Sequence, residues 1–186
     1  MKASLADEQL MTEARNGNVR TLGVLFERHQ VPLFNYYLRM TGDRAASEDL
    51  VQDVFFRILR YRHTYRESTP FTMWMYRIAR NARADHMRKA RREVQLDPDH
   101  EHGSDGAPGA AEDIAARQES ALLRKALAAL PEEKRELLVL SRYQNLKYEE
   151  IARLLECEVG TVKVRVHRAI RELRETFAEL AGSRKS

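Results

Sequence analysis

The sequence predicts an all-α protein made of two small helical domains joined by a flexible acidic linker. Apolar residues recur three or four positions apart along most of the 186 residues, which is the period of a helix with one buried face. Runs of β-branched residues that would indicate strands are nearly absent. Between positions 93 and 119 the helical period stops, and acidic residues, glycines and prolines replace it. We therefore expect domains at 1–92 and 120–186, with the linker at 93–119 between them.

The first domain begins with two predicted helices. One covers residues 6–14 and ends at the turn-forming sequence Asn16-Gly17-Asn18. The other covers residues 19–40, with a bend expected near Pro32 because proline lacks a backbone donor. Its long apolar face consists of Leu22, Leu25, Phe26, His29, Leu33, Phe34, Tyr37 and Leu38.

A third helix is predicted at 46–62, capped by Ser47 or a neighbouring residue. The residues expected to point inward are Leu50, Val54, Phe55, Ile58 and Leu59. The residues expected to face solvent are Glu48, Asp49, Gln52, Asp53 and Arg60. Considered without context, hydration is sufficient to explain such a polar face.

The polar sequence at 63–70 ends in a proline and predicts a loop. It leads into a helix at 71–93 that carries aromatic residues and many cations, and between Arg77 and Arg92 the cations face a single acid, Asp85. The cations are Arg77, Arg80, Arg83, Arg88, Lys89, Arg91 and Arg92. Bases of unpaired nucleic acid stack on aromatic rings while cations hold the phosphates, so this helix is a candidate surface for a single strand. The alternative is that Phe71 and Trp74 are core residues, and for Trp74 we favour it.

The second domain is expected to hold two helix pairs. Residues 120–130 and 132–143 predict one pair, separated at Pro131. Residues 147–156 and 160–175 predict the other pair, joined by a tight turn with Thr161 as the cap of the last helix. Glu156 stands where many such turns have glycine, so a residue with positive φ is expected elsewhere in the turn.

The last predicted helix has an apolar back and a basic front. The back consists of Val162, Val166, Ala169, Ile170 and Leu173. The front consists of Val164, His167, Arg168 and Arg171, with Lys163 and Arg174 at its margin. A helix, a tight turn and a basic helix form a helix-turn-helix, whose second helix lies in the major groove of DNA.

Charge and cysteine content narrow the class of protein further. The net charge is +4, but the cations concentrate in the helices at 71–93 and 160–175, and two basic surfaces suggest one long polyanion such as nucleic acid. The single cysteine, Cys157, excludes an internal disulfide and a zinc site built on cysteine pairs. No apolar run approaches the roughly 20 residues of a membrane span, and no leader is evident. We expect a cytoplasmic protein without membrane insertion.

With these motifs in order, the chain resembles bacterial RNA polymerase sigma factors of the extracytoplasmic-function (ECF) group. The resemblance rests on EDLVQDVFFRILR and FTMWMYRIARNARADHMRKARR in a sigma-two-like domain. It also rests on LPEEKRELLVL, KYEEIARLLE and GTVKVRVHRAIREL in a sigma-four-like domain. The resemblance implies a subunit that binds core RNA polymerase, directs it to promoter DNA and helps to open the duplex.

The resemblance also assigns roles to individual residues. Contact with the clamp of the largest polymerase subunit is expected from Asp49, Gln52, Asp53 and Arg57. Recognition of the minus-ten element, including a flipped base held by the loop at 64–70, is expected from Thr64, Tyr65, Arg77, Arg80, Asn81 and Arg88. Recognition of the minus-thirty-five element is expected from Thr161, Lys163, Val164, His167, Arg168 and Arg171. The linker either enters the active-site channel or is a passive tether.

The sequence also allows other classes of protein. One is a regulator that binds duplex DNA through its helix-turn-helix and senses or dimerises through its first half, and another is a sigma mimic that sequesters an anti-sigma factor. An enzyme is not expected, because phosphate-binding glycine loops and nucleophile motifs are missing from the sequence. No cofactor or metal is expected, since the six histidines do not stand at ligand spacing. Control by an anti-sigma factor is expected from the resemblance.

Overall fold

The computed structural model describes residues 5–96 and 114–182, and within these ranges it is helical without strands. The α-helices are α1 (Asp7–Arg15), α2 (Thr21–Thr41), α3 (Arg44–Tyr61), α4 (Phe71–Leu96), α5 (Ile114–Ala129), α6 (Glu132–Leu138), α7 (Tyr148–Leu154) and α8 (Val159–Gly182). A 3₁₀ turn at Arg62–Thr64 follows α3, and a π-helical segment at Val139–Tyr143 continues α6. The predicted all-α class is confirmed.

By their internal contacts, the described residues form two compact units. The first contains α1, α2 as far as Tyr37, α3 from Ala45, and α4. The second contains α5 to α8, and Leu38–Arg44 groups with it. The domain limits at 1–92 and 120–186 stay predictions.

The core of the first unit is formed where aromatic residues of α2 meet α3 and α4. The Tyr36 ring packs edge-on against Tyr76 with centroids 5.5 Å apart, and the Tyr37 hydroxyl donates to the Ala79 carbonyl at 2.9 Å. Phe26 and Phe55 make a similar edge contact at 4.9 Å between α2 and α3. Burial of each such ring stabilises the unit by roughly 1.5–3 kcal/mol, and edge contacts add to that.

The core of the second unit is aliphatic. Leu137, Leu138 and Leu140 are buried as predicted, and they share the core with Ile151 of α7 and Val166 of α8. The π-helical segment ends the α6 helix, with the Gln144 amide donating to the Val139 carbonyl at 3.0 Å. Lys134 of α6 pairs with Glu172 of α8, which joins the two helices at their surface.

Several predicted element boundaries were wrong. α3 begins at Arg44, so Ser47 does not cap it but is buried in its first turn. Leu59 is 40 % exposed and does not point inward, because it lies beside the buried stripe and not on it. α2 continues through Pro32 to Thr41.

The linker at 93–119 stays a prediction, and the helices on either side of it extend into this range. α4 continues through residues 93–96 and α5 starts at Ile114, because glutamate, glutamine, alanine and leucine at these positions favour a helix despite the change in composition. The remainder of the predicted linker, including His100 and His102, lies outside the described residues.

Candidate nucleic-acid and partner interfaces

The helix-turn-helix is formed by α7, the turn after it and α8. Glu156 in the turn has a φ of 52°, so the residue with positive φ is Glu156 itself and the expectation that another residue would take this conformation was wrong. The turn then closes with the Cys157 amide donating to the Ala152 carbonyl at 2.9 Å. Such a left-handed residue costs roughly 1–2 kcal/mol when it carries a side chain. The packing of α7 on α8 must offset that cost.

α8 begins at Val159, one residue before the predicted start at Gly160, so Thr161 is not its cap. The Glu158 carbonyl accepts a hydrogen bond from the Val162 amide at 3.1 Å, so helical hydrogen bonding already begins at Glu158, three residues before Thr161. Thr161 is half-buried within the first turn. Thr161 is therefore partly accessible at the start of α8.

The basic front of α8 is exposed, as its residue spacing predicts. The exposed members are Lys163, Val164, His167, Arg168 and Arg171, and Val164 is 50 % exposed near the middle of the face. On the opposite side, Val162, Val166 and Ala169 are buried. Arg165 is also exposed at the flank of this front. Lys163 and Arg174 were predicted at the margin of this front, but Arg165 was not assigned.

The loop at 64–70 is held together from within by Tyr65. The Tyr65 ring is 2 % exposed, its hydroxyl donates to the Thr69 carbonyl at 2.8 Å, and it packs edge-on against Trp74 at 5.3 Å. Burial raises the pKa of this hydroxyl to about 12. In this structure the Tyr65 ring is part of the core, and its contact with DNA stays a prediction.

Other residues of the loop face outward. Thr64 is exposed and donates to the Tyr61 carbonyl at 2.8 Å, which fixes its side chain at the start of the loop. Arg66, Glu67 and Ser68 are exposed as well. Arg66 is a cation that the sequence reasoning did not assign, although its place in a loop expected to hold a base was a sufficient signal.

On α4 the cations separate into an exposed stripe and an internal group. Arg77, Asn81 and Arg88 are exposed at spacings of four and seven residues, which place them on one side of the helix. Arg80 is half-buried beside them. Arg83, which was counted among the basic cluster, is 6 % exposed and belongs to the interior.

α3 presents an exposed face that is both acidic and apolar. Asp49 and Gln52 are exposed and Asp53 is partly exposed, as predicted. Phe56, at 61 % exposure, lies between them on the same face, with Leu59 beside it. The sequence reasoning missed Phe56 because it assigned the preceding Phe55 to the core and did not consider the second ring.

Arg57 differs from the other predicted contacts of α3 because it is engaged within the unit. Its Nε donates to Asp53 at 2.9 Å and its Nη1 donates to Asp85 of α4 at 2.7 Å. Asp85 also pairs with Arg88. The Arg57 hydrogen bond, with the charges of Arg57 and Arg88, holds the pKa of Asp85 below its usual range. Arg57 therefore braces α3 against α4.

A cleft of about 380 Å³ lies between α3 and α4 at this brace. Its charged and polar lining consists of Asp49, Asp53, Arg57, Asp85, His86 and Lys89. In the part of the chain that the structure describes, no three side chains of the metal-ligating types are grouped to hold an ion. None of the helices in the described ranges combines the length and apolar character of a membrane span.

Comparison with known sequences shows which family the chain belongs to. Sequence models of two families match the chain, sigma-70 region 2 at residues 25–93 and sigma-70 region 4 at residues 120–173. The RNA polymerase sigma-H factor of Pseudomonas aeruginosa is 30% identical over 175 residues, which are 88% of this chain and 89% of that protein. The ECF RNA polymerase sigma factor SigL of Mycobacterium tuberculosis is 34% identical over 164 residues, which are 86% of this chain and 90% of that protein.

Two solved structures are similar in fold. One is CnrH in complex with the cytosolic domain of CnrY, with a TM-score of 0.71 and 26% identity, covering 94% of this chain and 99% of that chain. Another is the sigma factor RpoE of Bartonella quintana in complex with the anti-sigma factor NepR, with a TM-score of 0.72 and 26% identity, covering 84% of this chain and 96% of that chain. Because both family models match in order and relatives at 30–34% identity cover most of both chains, this chain belongs to the ECF group of RNA polymerase sigma factors.

Proposed function

We propose that this sigma factor binds core RNA polymerase through α3 and reads a promoter with two separate surfaces. In this proposal, α3 presents Asp49, Gln52 and Asp53 to the clamp of the largest subunit. A basic partner surface complements these carboxylates, and the exposed ring of Phe56 supplies apolar contact at the centre of the same face. Arg57 supports the face from behind through Asp85.

For the downstream promoter element, we assign the loop at 64–70 and the exposed stripe of α4. Arg77, Asn81 and Arg88 face one direction, which suits a single strand that runs along the helix. Thr64 and Arg66 extend from the loop and are placed to contact an extruded base or its phosphate. Arg80 contributes from the margin of the stripe.

For the upstream element, we assign the front of α8. Lys163, His167, Arg168 and Arg171 offer donors to base edges and phosphates, and Val164 offers apolar contact. Arg165 joins this set as a phosphate contact, and Thr161 contacts DNA only from the margin of the face.

The observation that carries the proposal is the exposed carboxylate and phenylalanine face of α3 in the same unit as the cation stripe of α4. A regulator that binds only duplex DNA uses the α8 surface and has no need of this pair. We also propose that an anti-sigma factor controls the protein, as the complexes of CnrH and RpoE support. The protein would act in the cytoplasm as a specificity subunit without catalytic activity of its own.

Reconstituted transcription tests the proposal. Core RNA polymerase and the purified protein should produce a promoter-dependent transcript from a library of genomic fragments. Asp53→Arg should reduce binding to core polymerase, whereas Glu27→Arg, an equal charge change at an exposed position of α2, should not. Absence of any promoter-dependent transcript contradicts the sigma function of this chain. Equal core binding by Asp53→Arg and the wild type removes α3 from the interface.

A further inference from the structure

α1 spans the loop at 64–70 and contacts it at both ends. At the start of the loop, Arg15 donates from Nη1 to the Tyr65 carbonyl at 3.3 Å and from Nη2 to the Glu67 carboxylate at 2.7 Å. Just after the loop, the Glu8 carboxylate accepts the Phe71 amide at 3.0 Å. α1 is outside residues 25–93, the range of the sigma-70 region 2 match.

The spacing of these two side chains explains how one short helix reaches both ends. Glu8 and Arg15 are seven residues apart, so they lie on one face, two turns and about 10.5 Å apart along the axis. Phe71 is the first residue of α4, and its amide has no partner within that helix. A carboxylate at this position satisfies the amide and complements the positive end of the helix dipole.

α1 is itself firmly attached to the unit. Leu10, Met11 and Ala14 are buried, and the Thr21 hydroxyl donates to the Leu10 carbonyl at 2.9 Å. Asp7 accepts from Arg28 and lies 2.6 Å from the His29 ring. A helix anchored along its length is a rigid support, so displacement of the loop requires breaking the Arg15 or Glu8 contacts.

The loop is closed by contacts of its own, and α1 contacts it at both ends. The Tyr65 hydroxyl and the Arg66 carbonyl both bond to Thr69, and these contacts close the loop on itself. The side chains of Thr64, Arg66 and Ser68 are exposed. Their positions depend on the loop backbone, which Arg15 contacts at the Tyr65 carbonyl. The Glu67 side chain is 59% exposed and that of Arg15 is 30% exposed, so solvent screens their ion pair, which adds little to global stability and acts mainly on the position of the loop.

We propose that α1 is a specificity-determining support, in which Arg15 and Glu8 hold the 64–70 loop in the conformation that captures a promoter base. This rests on the proposed role of the loop in the minus-ten element. Arg15 and Glu8 are positioning residues and do not touch DNA. Losing the support leaves binding to core polymerase and to the upstream element intact, but slows capture of the base and weakens discrimination among bases.

The test compares Arg15→Ala with Arg20→Ala in the reconstituted holoenzyme. Arg20 is an exposed arginine of the same unit, so both variants lose one positive charge. A fluorescent base analogue in the minus-ten element reports opening, and promoters that differ only at the captured base report discrimination. Arg15→Ala should slow promoter opening about 3- to 10-fold and reduce the difference in opening rate between promoters that differ at the captured base. Arg20→Ala should behave as wild type. Arg15→Lys should restore part of both, because lysine keeps the charge but cannot form the same fork.

The outcomes separate this inference from the general function. A wild-type holoenzyme that opens promoters normally, together with Arg15→Ala behaving like Arg20→Ala, overturns the role of α1 and leaves the sigma function standing. A variant with weaker core binding and unchanged base discrimination also overturns it, because that is the signature of general unfolding. Should Arg15→Ala fail to fold, Glu8→Ala provides the same test from the other end of the loop, with the same expected loss of discrimination.

Discussion

Glu156 shows how a single residue meets the demands of a turn at an energetic cost. Its φ of 52° is in the left-handed region, where the Cβ atom of a non-glycine residue crowds the following carbonyl. Asn145 has a similar φ of 53°, but its short amide side chain can form local hydrogen bonds that make this conformation less costly. The strain at Glu156 persists because the buried faces of α7 and α8 fix the turn between them.

We expect Glu156→Gly to increase the free energy of unfolding by about 1 kcal/mol, since relief of the strain exceeds the added freedom of glycine in the unfolded chain. Urea denaturation measures this change. Asn145→Gly is the matched control and should give a smaller gain. An unchanged or lower stability of Glu156→Gly would show that the turn is not strained at this residue.

The Asp85 carboxylate makes the stability of the fold depend on pH, because its partners Arg57 and Arg88 are cations. Its pKa in the folded protein is lowered, first by the hydrogen bond from Arg57, so it favours the folded state when it is ionised. This contribution is complete above the unfolded pKa, about 3.9, and is lost as pH falls through the lower folded value. The side chain is 42% exposed, so solvent screens the contribution.

Asp85→Asn should therefore be less stable than the wild type at neutral pH, and the difference should shrink as the pH falls below about 4. Urea denaturation between pH 3 and 7 gives the comparison. Glu27→Gln removes an exposed carboxylate of α2 and should show no such convergence. A difference between wild type and Asp85→Asn that stays constant across this range would contradict the ionic brace.

Among the helices, α8 packs against the core with one face and presents cations with the other, because its apolar residues recur at the helical period. Its buried residues fix the helix on α7, and this packing leaves Arg168 and its neighbours on the outer side. α3 is arranged in the same way, but its exposed face is acidic. Because Leu50, Val54 and Ile58 are buried, Asp49 and Phe56 lie on the exposed side of the helix. In both helices the core contacts determine which residues are available to a partner.

Arg168→Ala should reduce the affinity for the upstream element by roughly 1–3 kcal/mol if Arg168 reads a base. The measurement is binding to upstream elements that carry each base at every position. Arg124→Ala removes an exposed arginine from α5 and should leave this affinity nearly unchanged. Equal weakening by Arg168→Ala on every sequence would instead identify a phosphate contact.

For the whole molecule, the two basic helices belong to separate compact units, yet the proposed function requires both on one promoter. The salt dependence of promoter affinity tests whether both helices bind, because each cation that neutralises a phosphate releases counterions from the DNA. Arg77 of α4 and Arg171 of α8 are exposed representatives of the two surfaces.

On a complete promoter, Arg77→Ala and Arg171→Ala should each reduce the slope of log affinity against log salt by about 0.7–0.9, and the double variant by the sum. Holoenzyme binding across a salt series gives these slopes. On a fragment that contains only the upstream element, Arg171→Ala should still have its effect and Arg77→Ala should not. If the double variant matches either single variant on the complete promoter, the two units do not bind it together.

The order of residues alone was enough to predict the all-α class, the helix-turn-helix and the exposed acidic face of α3. These depend on the period of apolar residues, which is local and is visible in EDLVQDVFFRILR and GTVKVRVHRAIREL. The period also identified Val162 and Val166 as buried and Arg168 as exposed. It was less informative about helix ends, because capping depends on the backbone path of the preceding turn, as Ser47 and Thr161 show.

Contacts between side chains that are distant in the sequence emerged only from the folded structure. Asp85 meets Arg57 from 28 residues away, and Arg15 reaches Glu67 across 52 residues, distances at which no local period carries information. The folded structure also decided that Tyr65 is buried while the neighbouring Thr64 and Arg66 are exposed. In a loop without regular period, the direction of each side chain depends on contacts with other helices, and those contacts exist only once the chain has folded.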